Sequence, residues 1–119
     1  DRDLTPTLEV DAEIPLSELT PDAIREIWSL SPFGEGNPEP CFLSRSLRVT
    51  EPRVIGERHL KFRVGQAGTG KSCEAIAFGM ADRRVPDGTM VDLVFTPEMN
   101  RWQGYERMQL RVIDMKHMG

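Results

Sequence analysis

The chain has 119 residues, 39% hydrophobic and 29% charged, with nine Pro, ten Gly and two Cys. That is enough for one domain around one core, and no apolar run approaches the ~20 residues a membrane-spanning helix needs. The net charge of −4 is unevenly spread: residues 1–40 hold ten acids and two bases, and residues 41–119 nine acids and thirteen bases, so only the second part has the excess that attracts a polyanion.

In chain order, "LEVDAEIPL" comes first and alternates Leu8, Val10, Ala12 and Ile14 with polar residues. This predicts a short strand or strap with one buried face. In "LTPDAIREIWSL", Thr20 is placed to cap a helix, Pro21 occupies its first position and Asp22 favours its dipole. Ala23, Ile24, Ile27 and Trp28 fall on one face, so the helix is short and amphipathic, ending at Ser31 and Pro32. "SPFGEGNPEPCF" packs three Pro, two Gly and an Asn into twelve residues and is expected to be a connector with a fixed path.

From Cys41 onward the pattern is β, over Phe42–Val54, His59–Val64, Cys73–Phe78, Met90–Phe95 and Met108–Met115. Five short strands in so few residues predict a small closed barrel, an OB-fold, with an SH3-like barrel as the alternative. Residues 1–40 are then an acidic strap, helix and connector, and residues 41–119 the barrel, together one domain.

Between two of these strands lies "GQAGTGKS", Gly65 to Ser72, which satisfies the phosphate-loop pattern G-x-x-x-x-G-K-[ST]. Its surroundings argue against a nucleotide site. Such a loop follows a buried parallel strand and opens a helix whose amides face the phosphates. Here "HLKFRV" alternates apolar and basic residues, and "SCEAIAFG" has strand character before Gly79. A glycine-rich hairpin between antiparallel strands is the expected structure, with nucleotide binding as a minor alternative.

Cys41 and Cys73 are too far apart for a zinc pattern and sit in apolar stretches, as free thiols of a reducing compartment do. The sequence opens at Asp1 with no basic and apolar leader, which is expected of a piece of a longer, cytoplasmic protein.

Three stretches resemble one known family. "LSPFGEGNPEPCF", "EAIAFGM" and "FTPEMNRWQGYERMQLRVIDMK" are similar to the C-terminal OB-fold region of the RecJ single-strand-specific exonucleases, a likeness running from "VDAEIPLSEL" to Lys116. The most specific piece comprises Pro32, Phe33, Gly34, Gly36, Asn37, Pro38, Pro40 and Phe42. The resemblance implies a module that grips single-stranded DNA for a 5′–3′ exonuclease of repair and recombination. Cleavage would belong to preceding domains of the DHH type, whose Asp and His clusters hold Mn2+ or Mg2+. This stretch has only His59 and His117 and no such cluster, so it is expected to be non-catalytic, with no cofactor of its own.

Sequence-tolerant binding of single strands takes cations along the phosphates and flat side chains under the bases. Lys61 and Arg63 share one face of a strand, and Arg45 and Arg48 come from the strand before it. Arg101, Trp102, Tyr105, Arg107 and Arg111 surround a predicted hairpin turning near Gln103 and Gly104. These nine are the expected DNA contacts. Other uses stay open: Trp102 and Tyr105 could close an end of the barrel, Arg63, Arg107 and Arg111 could pair with Glu74, Glu106 or Asp114, and the connector residues have mainly a structural use. A protein-interaction barrel, binding the parent's catalytic domains or single-strand-binding protein, is the alternative function.

Overall fold

A computed structural model describes residues 10–34, 36, 38–66 and 68–117, apart from the side chain of Trp102. Among the described residues, six strands, β1 (Ala12–Glu13), β2 (Phe42–Ile55), β3 (His59–Gln66), β4 (Ser72–Ala77), β5 (Met90–Trp102) and β6 (Tyr105–His117), form one sheet, accompanied by one α-helix, α1 (Pro21–Trp28), and two short 3-10 turns. The strand order β1-β2-β3-β4-β6-β5, with β2 also paired to β5, closes the last five into a barrel. β4 and β6 run parallel while the other barrel pairs are antiparallel. This is the expected five-stranded OB-fold.

Alternation builds the wall. Leu60, Phe62 and Val64 of β3 face Ala77, Ala75 and Cys73 of β4 inside the barrel, all nearly or wholly buried. β2 must serve two neighbours, β5 along its first half and β3 along its second. It manages this through register shifts between Ser44 and Leu47 and between Thr50 and Arg53, where Ser46 and Glu51 adopt positive φ. Bulges of this kind bend a strand, which is how a short barrel turns its corners.

β5 and β6 are longer than their apolar cores predict. They continue through Pro97–Trp102 and Tyr105–Arg107 as a polar arm that turns at Gln103 and Gly104, both left-handed, the conformation a two-residue hairpin demands. Pro97 sits within β5 because β2 pairs with that strand only up to Phe95, leaving its outer edge free of ladder bonds. Helix α1 covers that edge: Thr20 caps it by accepting from the Ala23 N–H at 3.1 Å, Ile24 is buried, and Trp28 Nε1 donates to the Pro97 carbonyl at 2.8 Å.

The strap differs from its expectation. Only Ala12 and Glu13 form a strand, parallel to Phe42 and Leu43, and Val10 and Ala12 are exposed. Leu8 lies outside the described residues. Burial comes instead from Leu16 and Leu19, which flank a 3-10 turn (Leu16–Glu18) and join the main core. A parallel edge strand held by backbone bonds, Asp11 N–H to the Cys41 carbonyl and Ile14 N–H to the Leu43 carbonyl, needs no apolar face.

The connector follows a fixed path over β5 and β6. Phe33 meets Trp28 edge-on at 5.0 Å, the Pro40 carbonyl accepts from Thr96 Oγ1, and Phe42 packs on Phe95. Gly36 has φ +84°, a conformation that favours glycine; Pro32, Gly34 and Pro38 are exposed. Asn37 lies outside the described residues.

Gly65–Ser72 is the hairpin between β3 and β4. Gly65 and Ser72 are paired, Gln66 N–H donates to the Lys71 carbonyl, and no helix opens at Lys71, whose ammonium donates to the Leu19 carbonyl at 2.8 Å. The amides therefore have no phosphate-facing helix terminus to belong to.

Candidate nucleic-acid interface

The outward residues of β2, β3 and β4 line up in rows set by strand register. Thr50, Arg63 and Glu74 form one row and Arg53, Lys61 and Ile76 the next, while Arg48 stands beside Gly65 on the row before. Four bases from two strands thus share a single wall. The Glu74 carboxylate lies among three of them, 3.4 Å from Lys61, 3.6 Å from Arg63 and 3.9 Å from Arg53. One acid against three bases leaves a net positive field, and partial burial of Glu74 weakens its screening by water. Arg63 also donates to Ser72 Oγ at 3.1 Å, which fixes the guanidinium over the wall.

The arm extends this wall. Glu74 is in register with Gln109 on β6, and a depression of about 200 Å³ is lined by Lys61, Glu74, Asn100, Arg107, Met108 and Gln109. Arg107 is exposed and has no ion-pair partner among the described residues. Two positions along β6, on the same side of the strand, Tyr105 is 72% exposed, so it does not close the barrel. Trp102 is paired with Tyr105 through the backbone; its side chain lies outside the described residues.

The remaining sequence-predicted residues are placed elsewhere or already engaged. Arg45 lies on the part of β2 paired with β5, in a different sector of the barrel, 3.3 Å from Glu13 and 3.4 Å from the buried Asp92. Arg101 alternates to the other side of the arm and pairs with Glu106 at 3.3 Å. Glu106 in turn binds Arg25 of α1 at 2.7 Å, and those two hydrogen bonds, Arg25 first, hold its carboxyl below the usual carboxylate range. Arg111 reaches Glu39 of the connector at 2.5 Å and Glu98 of β5 at 3.0 Å. Burial works against its charge, but the bonds to Glu39 and Glu98 outweigh that and raise its pKa. The structure thus groups Arg48, Lys61, Arg63, Tyr105 and Arg107, and separates Arg45 and Arg101 from them.

Arg53 is the residue that sequence alternation misses. Counting by twos from Arg48 puts it inside the barrel; the shift at Glu51 and Pro52 turns it outward, opposite Lys61. The signal was present, since Pro within a strand pattern is tolerated mainly at edges and bulges.

Among the described residues no three His, Cys, Asp or Glu side chains are grouped so that they could hold a metal ion. No helix among them is long and apolar enough to cross a membrane.

Comparison with known proteins agrees with this architecture. Residues 10–114 match the family model for the RecJ OB domain. Single-stranded-DNA-specific exonuclease RecJ of Dickeya dadantii is 33% identical over 104 residues, covering 86% of this chain and 18% of that protein. The RecJ of Escherichia coli is 33% identical over 110 residues, covering 89% and 19%. Among solved structures, Thermus thermophilus RecJ in complex with Mn2+ superposes with a TM-score of 0.71 at 31% identity, over 92% of this chain and 16% of that one. A further structure of that protein holds Mg2+. The chain therefore spans less than a fifth of the length of these relatives.

Proposed function

The chain belongs to the RecJ OB domain family, and from that premise we propose that it is the single-stranded-DNA-binding module of a cytoplasmic RecJ-like 5′–3′ exonuclease, binding the strand on the outer wall of β2, β3 and β4 and contributing no catalytic group. The observation that carries this reading is the set of bases Arg48, Arg53, Lys61 and Arg63 on one wall, with Glu74 the one acid within ion-pair distance among the described residues. OB-folds bind oligonucleotides through the second and third barrel strands and two flanking loops, here β3, β4, the β2–β3 turn and the β5–β6 arm. Backbone phosphates would track the cations, and the arm with Tyr105 and Arg107 would border the strand on one side. Hydrolysis would fall to other domains of the parent, where metal ions of the kind bound by the Thermus relative activate water.

Titration with labelled oligothymidylate at low salt tests the reading. Saturable binding that weakens at least tenfold in the double variant Lys61→Glu, Arg63→Glu supports it. A Kd weaker than about 1 mM for the unaltered chain, the upper edge of weak binding, would defeat it.

A further inference from the structure

One aromatic ring on the same wall is used by nothing described so far. Phe78 follows directly after β4 and is 57% exposed, and it contributes to neither apolar cluster of the core. By strand alternation it lies one row beyond Ile76, which is itself in register with Lys61, and rows on a sheet are about 7 Å apart. Its neighbour in that row is His59, which meets it at 5.2 Å with the ring planes 74° apart. His59 is held in turn, because its Nδ1 accepts from the Gly79 N–H at 2.9 Å. Ile55, in register with His59, is also exposed. A fixed ring with more than half its surface in water, one row from Lys61 and Arg53, combines a flat apolar face with adjacent cations.

We propose that Phe78 is a base-stacking platform: a nucleobase of the single strand lies on the face of its ring, with neighbouring phosphates on Lys61 and Arg53. The occupant is a nucleic-acid base rather than an apolar protein segment because the patch is small and bordered by cations, which suit a ligand carrying a π-face and a phosphate on each repeat. This rests on the preceding functional reading and adds the residue that meets the base.

The test compares oligothymidylate with an abasic deoxyribose-phosphate oligomer of the same length, against the unaltered chain, Phe78→Ala, Phe78→Leu and Phe78→Trp. Because the side chain lies outside the core, all three variants should keep the melting temperature of the unaltered chain. Phe78→Ala and Phe78→Leu should weaken oligothymidylate binding about five- to 150-fold, the range one stacked base contributes, and leave abasic binding unchanged. Phe78→Trp should retain or improve it. Full oligothymidylate binding by Phe78→Ala, or equal losses on both ligands, would overturn the platform while leaving the DNA-binding reading in place. Failure of the unaltered chain to bind either oligomer would overturn both.

Discussion

The carboxylate of Glu74 lies 3.4 Å from the ammonium of Lys61, across the β3–β4 pair and in the middle of the wall where the strand is expected to run. In the proposed binding mode it occupies the place a phosphate would take. Replacing it with Gln, which keeps the shape and removes the charge, should tighten binding of oligothymidylate several-fold at low salt, because three cations are released from a competing anion. These partly buried pairs, each 3.4 Å or longer, stabilise by about 1 kcal/mol, so the melting temperature should fall by about 5 °C or less. Weaker binding by Glu74→Gln in a fluorescence anisotropy titration would mean that the acid orients the cations rather than competing for them.

Arg111 gives the opposite expectation. Its guanidinium spans Glu39 of the connector and Glu98 of β5, so it joins the connector to the barrel. Arg111→Met should lower stability by about 1–2 kcal/mol, through two carboxylates left facing each other and lost hydrogen bonds to charged groups. Denaturant titration measures that loss. The salt dependence of DNA binding should be the same as in the unaltered chain, and a shallower dependence would place Arg111 among the phosphate contacts.

Trp28 fastens α1 to the free edge of β5. Trp28→Phe keeps most of the ring but loses the donor to the Pro97 carbonyl at 2.8 Å, which should cost about 1 kcal/mol. Trp28→Ala also removes the contact with Phe33 and should cost about 3–4 kcal/mol. Thermal unfolding followed by circular dichroism reads both; an unchanged stability in Trp28→Phe would show that the hydrogen bond contributes nothing.

The Cys73 thiol is nearly fully buried, facing Val64 inside the barrel, and burial pushes its pKa up to about 11 from 9.0, more than the nearby Arg63 and Lys71 charges pull it down. A raised folded-state value means that the unfolded chain loses the proton first as pH rises. The stability associated with the neutral thiol is therefore fully present below about pH 9 and declines toward pH 11, by about 2–3 kcal/mol for this shift. Cys73→Ala should flatten that part of the stability–pH curve relative to the unaltered chain. If the two curves run parallel between pH 9 and 11, the thiol is not buried as described.

The helix and the barrel were legible because their signals are local: Thr20 and Pro21 mark a helix start, and Leu60, Phe62 and Val64 alternate with Lys61 and Arg63. What was not legible depends on tertiary partners. Val10 and Ala12 alternate like a buried strand, yet backbone pairing at the barrel's edge suffices there and Leu16 and Leu19 supply the burial. The arm beyond Pro97 is polar on both strands and gives no apolar period to read, so only its Gln103–Gly104 turn was visible. Lys61 and Arg63 could be paired from two-residue spacing alone, whereas Arg53 required a bulge at Glu51 and Pro52. Arg45 and Arg101 had looked equivalent to them in composition, and only the fold puts Asp92 and Glu106 beside those two.

The salt dependence of single-strand binding tests the central claim most directly. Each phosphate neutralised on a single strand adds about 0.7 to the slope of log Kobs against log salt. If Lys61 and Arg63 each cover a phosphate, the double variant Lys61→Gln, Arg63→Gln should bind oligothymidylate more weakly and with a slope shallower by about 1.4. An unchanged slope and affinity would show that the strand runs elsewhere on the barrel and would contradict the account.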